Sequence, residues 1–220
     1  MEQEYIKRNY KILEDKMIEQ MNSALEYGKK LINTELDAGL FTFIIKPVVR
    51  TFYDYWCTND AREGTLQQIK VTLDSALILL SNGDSEELFN KVIEEHFPVY
   101  LNGDQTYRQC KKSHKNYEKL EEITKEAFIS QVRESLLFLR IRENVDNYDD
   151  LVKVAFKDKQ KAYESLMRQL NYNEAGIAIV EKDPSILKIP TGKSTILKAL
   201  RKGFEKTKTD LIESLDEIFD

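Results

Sequence analysis

Between Gly103 and Gly176 the chain contains neither glycine nor proline. A run of that length, free of helix breakers and rich in Glu, Lys, Leu and Arg, favours long helices over any sheet. Tyr107, Cys110, His114 and Tyr117 form one stripe at helical spacing, and Leu120, Ile123, Ala127, Val132, Leu136 and Leu139 continue it, with a boundary near residue 116. Asn147 is expected to start a fresh helix with Asp150 in its first turn. Leu151, Ala155, Ala162, Leu166 and Leu170 line that helix until Asn171-Tyr172-Asn173, taken as its stop.

The flanking segments follow the same period. Ile6, Tyr10, Leu13, Met17, Met21, Leu25 and Ile32 predict one amphipathic helix from Glu2 to Asn33. Thr34 is expected to cap the helix that follows. Leu66, Ile69, Leu73, Ala76, Leu77 and Leu80 trace a helix ending at Asn82-Gly83, and Asp84 or Ser85 caps a shorter one reaching Pro98. Asn102-Gly103-Asp104 reads as a turn. Ala175–Val180 is the only strand-like run; a lone strand has nothing to pair with, so a short buried helix is expected there. Leu197, Leu200, Phe204, Leu211, Leu215 and Ile218 give a closing helix.

The most apolar stretch is Leu40–Cys57, LFTFIIKPVVRTFYDYWC, which holds the single tryptophan. Phe41, Ile44, Ile45, Val48, Phe52, Tyr55 and Trp56 share one helix face, while Phe43, Val49 and Tyr53 make the opposite side apolar too. A helix apolar nearly all round belongs in an interior. Lys46, Arg50 and Asp54 interrupt a segment already shorter than the roughly 20 residues a span needs, so no membrane crossing is expected.

The expected fold is therefore all-α, an antiparallel multi-helix bundle of about seven helices around a central apolar helix. Residues 1–183 are read as the bundle, and residues 184–220 as a C-terminal loop and charged helix packed on the same domain. With 32% charged residues, 41% hydrophobic ones and only eight glycines, the composition agrees. Net charge is −5, which does not suggest bulk nucleic-acid binding. Cys57 and Cys110, the only cysteines, are too few for a disulfide framework or a zinc module, and are read as thiols of a cytoplasmic protein.

Several motifs bear on chemistry. Thr191-Gly192-Lys193-Ser194-Thr195 imitates the end of a phosphate-binding loop, but Leu187 stands where the pattern needs a glycine. It is read as a helix start capped by Thr191 or Ser194, with Gly192, Lys193 and Ser194 able to meet an anion. The closing helix carries Lys193, Lys198, Arg201, Lys202, Lys206 and Lys208 near its start and Asp210, Glu213, Asp216, Glu217 and Asp220 near its end, against the helix dipole. A solvated charged face is the first expectation; an anion at the start, or an antiparallel neighbour in this chain or a second copy, is the alternative that would compensate.

Arg108 and His114, in RQCKKSH, resemble the Arg-x(4–6)-His motif of the small helical ribonucleases of the HEPN type. The resemblance covers seven residues. It implies His114 as acid-base group and Arg108 as phosphate stabiliser, with Lys111 and Lys112 binding RNA and Tyr107 and Tyr117 stacking on bases. Glu118-x-x-Glu121 and Glu143-x-x-Asp146 resemble the carboxylate pattern of the all-helical MazG-type nucleotide pyrophosphohydrolases, which implies Mg²⁺ held between facing helices. Neither stretch assigns the whole chain to a family, no catalytic residue is assigned, and no cofactor or resident metal is expected. The leading expectation is a non-catalytic protein acting through a protein partner or self-association. RNA-directed and pyrophosphohydrolase activities are the alternatives.

Overall fold

The computed structural model describes residues 2–38, 47, 50–51, 59–83, 85–189 and 192–220. Among them are eight helices and no strand. They are α1 (Glu2–Ala38), α2 (Ala61–Asn82), α3 (Glu86–Gly103), α4 (Gln105–Arg108), α5 (Tyr117–Leu139), α6 (Tyr148–Phe156), α7 (Lys159–Lys182) and α8 (Lys193–Phe219), with a 3₁₀ turn at Pro184–Ile186. None of the described helices is long and apolar enough to cross a membrane.

Side-chain pairs fix the antiparallel arrangement. Across α1 and α2, Tyr10 donates to Asp74 and Arg62 to Asn22, so one number rises as the other falls. Gln169 meets Ser130 and Ser165 meets Glu134, which sets α7 against α5 in the same sense. Lys202 binds Glu35 while the Lys206 ammonium lies 5.5 Å from the Tyr27 ring, and α8 thereby runs back along α1.

The centre of the described core is α2 against α5. Leu73, Ala76 and Leu79 on α2 and Phe128, Val132 and Leu139 on α5 are fully buried. Each large side chain hidden in this way contributes roughly 1.5–3 kcal/mol. The Phe128 ring packs 4.6 Å from Tyr100 and 6.2 Å from Phe97, centroid to centroid, and so ties α3 to α5. Glycine makes the α2–α3 crossing close. A Cβ on Gly64 would collide with the Gly103 carbonyl oxygen, and one on Gly103 with that of Gly64.

One buried polar residue belongs to the same core. Asn9 donates its amide to the carbonyls of Phe138 (3.1 Å) and Ile141 (2.7 Å), where α5 ends. Replacing it by alanine takes this donor from both carbonyls; Phe138 keeps the Ile141 N–H at 3.2 Å, and the Ile141 carbonyl loses its 2.7 Å partner in a buried place. Asn9→Ala is expected to cost about 1–3 kcal/mol in urea unfolding, with the helical content unchanged.

The segment Leu40–Cys57 lies outside the described residues except for Pro47, Arg50 and Thr51, which are helical. Arg50 pairs with Asp37 at 2.5 Å. Other boundaries differ from the sequence reading for physical reasons. Helix α1 runs on to Ala38, and Thr34, instead of capping a new helix, returns its hydroxyl to the Lys30 carbonyl one turn back. Helix α3 passes through Pro98; Glu94, whose carbonyl loses its partner there, is exposed to water, as is Pro98. Ser85 does cap α3, accepting from the Leu88 amide, and Asn147 caps α6 from the Asp150 amide.

A single helix after Asn147 does not form. Lys157 takes a left-handed conformation (φ 56°) and Asp158 starts α7 by accepting from Lys161 N–H. Asn171-Tyr172-Asn173 then fails to stop α7, because Leu170, Ile177 and Val180 keep one face buried and asparagine costs only tenths of a kcal/mol inside a helix. The strand-like run 175–180 is the last part of that helix. Finally, the stripe from Tyr107 to Tyr117 is not helical throughout. Its middle is pulled out of helix by an antiparallel bridge between Cys110 and Leu187.

Candidate functional site

The junction between residues 109–116 and 183–188 gathers most of the chemistry-bearing side chains. Lys111 N–H donates to the Ile186 carbonyl and Lys188 N–H to that of Gln109, both at 2.7 Å, on either side of the Cys110–Leu187 bridge. Asp183 opens the 3₁₀ turn beside it, receiving the Ser185 hydroxyl at 2.6 Å. His114 completes the junction: its Nε2 lies 3.1 Å from Ser185 Oγ and 3.2 Å from Asp183 Oδ2, while its Nδ1 accepts the Asn116 N–H. Because Nδ1 is an acceptor, the neutral ring carries its proton on Nε2.

A serine, a histidine and an aspartate thus meet, which two histidines in the sequence gave no reason to expect. Their wiring does not make a nucleophile. In a catalytic triad the serine gives its proton to one ring nitrogen while the carboxylate holds the other. Here Ser185 gives its proton to Asp183, and both groups face the same nitrogen. The ring is left without a free basic nitrogen.

Arg108 turns to another part of the fold. Its guanidinium binds the Asp60 carboxylate at 3.0 Å and the Asp60 carbonyl at 3.3 Å, and Gln105 holds the other carboxylate oxygen at 3.1 Å. Arg108 and His114 therefore serve different partners. Tyr107 and Tyr117 are buried with their rings 4.7 Å apart, and the Tyr107 hydroxyl donates to Glu121. Cys110 is also closed off: its thiol donates to the Thr106 carbonyl, and burial pushes its pKa up to about 12.

The four carboxylates of the MazG-like pattern do not meet. Glu118 and Glu121 sit in the first turns of α5, whereas Glu143 and Asp146 follow its C-terminus. At 1.5 Å rise per residue the two pairs are about 30 Å apart. That corrects the expectation of facing helices, and no group of acidic, histidine or cysteine side chains among the described residues has the geometry of a metal site.

The charge order of α8 is answered inside the chain. Arg201 binds Glu181 at 2.6 Å and Glu174 at 3.2 Å, and Lys159 binds Asp216 at 3.2 Å and Asp220 at 3.3 Å. Helix α7 is thus an antiparallel neighbour whose charges run opposite to those of α8. At the start of α8, Gly192 is left-handed (φ 75°) and provides no side-chain cap. Ser194 lies within the first turn and so is not the cap, while Thr191 lies outside the described residues. Gly192, Lys193 and Ser194 are adjacent there, and Lys193 and Ser194 border a surface hollow together with Lys198 and Lys202.

A cavity of about 450 Å³ lies between α1, α5, α7 and α8, with α4 at one end. Its described walls are chiefly apolar, including Leu25, Leu120, Ile177 and Leu200, with uncharged polar side chains such as Gln109 and Asn173 between them, and Asp104 is the one carboxyl among the described lining residues. Asp104 caps α4 by accepting the Tyr107 N–H at 2.7 Å, and burial pushes its carboxyl pKa up.

Compared with protein-family models, curated proteins and solved structures, the chain matches none.

The junction should be sensitive to acid. The Ser185 hydroxyl and N–H, together with His114 and Lys115, hold the Asp183 carboxyl below its ordinary range, while burial works the other way. A depressed carboxylate stabilises the fold above its unfolded pKa, and that contribution disappears as the pH falls through the folded value. Protection of the Lys111 and Lys188 amides from hydrogen exchange, relative to an unfolded peptide at the same pH, is expected to be full near about pH 5 and to fall once the pH drops below about 3.9.

Proposed function

We propose that this chain is a non-catalytic cytoplasmic protein that docks on an acidic surface of a protein partner. The observation that carries the reading is the junction itself. Pairing residues 109–111 with 186–188 brings exposed Lys111, Lys112 and Lys115 beside exposed Lys182 and Lys188, on backbone held by hydrogen bonds. Lysines on a pre-ordered platform present a charged face without first paying to organise it.

The groups that would have made the site catalytic support the same reading, since His114, Ser185 and Asp183 bond to one another and Arg108 to Asp60. A protein partner is favoured over RNA because Tyr107 and Tyr117 are buried against each other and offer no stacking surface. Self-association loses its motive once α7 supplies the charge partner of α8.

The test is fluorescence anisotropy with a labelled oligoglutamate peptide and, separately, a single-stranded oligouridine. The peptide is expected to bind in low salt, and the triple variant Lys111→Glu, Lys112→Glu, Lys188→Glu to weaken it by about tenfold or more, each exposed charge contributing up to about 1 kcal/mol. Tighter binding of the RNA than of the peptide turns the reading to RNA. Binding unchanged by the triple variant removes the junction as the docking face.

A further inference from the structure

We propose that the cavity between α1, α5, α7 and α8 is a binding site for a neutral, chiefly aliphatic small molecule. Gly28, Gly176 and Gly203 lie in the interiors of α1, α7 and α8, and all three line this one cavity. Glycine is a poor residue inside a helix, destabilising by roughly 0.5–1 kcal/mol relative to alanine, so three of them call for a reason.

Close packing within this chain is the reason for Gly64 and Gly103, where a Cβ would strike backbone. It is not the reason for the other three. Among the described residues, a Cβ on Gly28 would meet nothing within 4 Å; on Gly176 it would come to 3.6 Å from Leu120 Cδ1, and on Gly203 to 3.8 Å from Leu31 Cδ1, which are ordinary contacts. Nor does positive φ demand glycine there, since among the described glycines only Gly83 and Gly192 have it. The missing side chains keep open a space that this chain's described packing does not use.

Volume and lining define the occupant. About 450 Å³ falls within the range of small-molecule pockets. The described lining contains no Lys, Arg or His and one carboxyl, Asp104, so an anionic head group would meet no counter-charge and one potential repulsion. Thr106 and Gln109, at the α4 end, offer a hydroxyl and an amide to an uncharged polar end. A long-chain alcohol or amide fits these constraints and a fatty acid does not.

The full chain is titrated with the neutral dye N-phenyl-1-naphthylamine. Saturable one-to-one binding is expected, displaced by dodecanol at concentrations where dodecanoate displaces at least tenfold less. Gly28→Leu projects a side chain into the cavity from a position with no described neighbour within 4 Å, so it should fold like the parent by circular dichroism and bind the dye at least tenfold more weakly. Leu66→Ala, on a half-exposed surface position away from the cavity lining, should bind as the parent does. Absence of saturable binding in the parent overturns the proposal. Equal displacement by dodecanoate overturns the ligand class, and unchanged affinity in folded Gly28→Leu overturns the location.

Discussion

Gly64→Ala is expected to destabilise the protein by about 3 kcal/mol, and Gly103→Ala by a similar amount. Overpacking a close contact costs typically 1–3 kcal/mol, and occasionally more when the obstructing atom cannot rotate away. Here it is backbone: the added methyl on Gly64 meets the Gly103 carbonyl oxygen, and beyond it Arg108 Nη2 at 3.1 Å. Relief requires α2 and α3 to separate, which loosens the burial of Leu73, Ala76 and Phe97 along the same crossing. Urea unfolding followed by circular dichroism measures the loss. The double variant should cost less than the sum of the single ones, since both methyls press on one helix crossing and one separation relieves both. Gly28→Ala is the internal comparison. It should stabilise by up to about 1 kcal/mol, because helix propensity improves and no described residue lies within 4 Å to resist it.

Phe128→Ala should be the most costly single truncation, at about 3–5 kcal/mol. Phe128 is fully buried and its ring is wedged between Tyr100 and Phe97 of α3. Removing it leaves a void among side chains from helices anchored elsewhere, which therefore cannot collapse to fill it. Phe128→Leu keeps much of the volume and should lose less than half as much. Comparable losses for the two substitutions would show that the site repacks and that the aromatic cluster is not what joins α3 to α5.

Much of this architecture is legible in the sequence. The glycine- and proline-free run announces helix, and Ser85 and Asn147 mark helix starts because their side chains satisfy amides that have no partner in the first turn. Stop signals are read less well. Asn171 and Asn173 look like an end, yet burial of Ile177 and Val180 outweighs the small local preference. Pro98 looks like an end because its ring removes an amide hydrogen, yet the helix continues through it, with Glu94 and Pro98 both exposed to water.

The site is harder to read because it is assembled from distant segments. The Cys110–Leu187 bridge joins residues 77 positions apart, and no local pattern foretells it. That bridge converts an apparent helical stripe into a loop, and with it turns His114 from a helix-surface group into the partner of Asp183 and Ser185. The opposed charges of α7 and α8 are different, since they are visible as two complementary sequences once the helices are known to be neighbours. Helix-interior glycines at 28, 176 and 203 were likewise present to be noticed; only the fold shows that they face one space.

The claim on which the functional reading rests is that the residues resembling catalytic ones hold the fold together. His114→Ala tests it most directly, with thermal unfolding and cleavage of a fluorogenic single-stranded RNA measured on the same preparations. The parent is expected not to cleave the RNA and the variant to unfold several degrees lower, about 1 kcal/mol corresponding to roughly 2–4 °C in a chain of this size. Cleavage by the parent, abolished in a variant with an unchanged melting temperature, would contradict that claim.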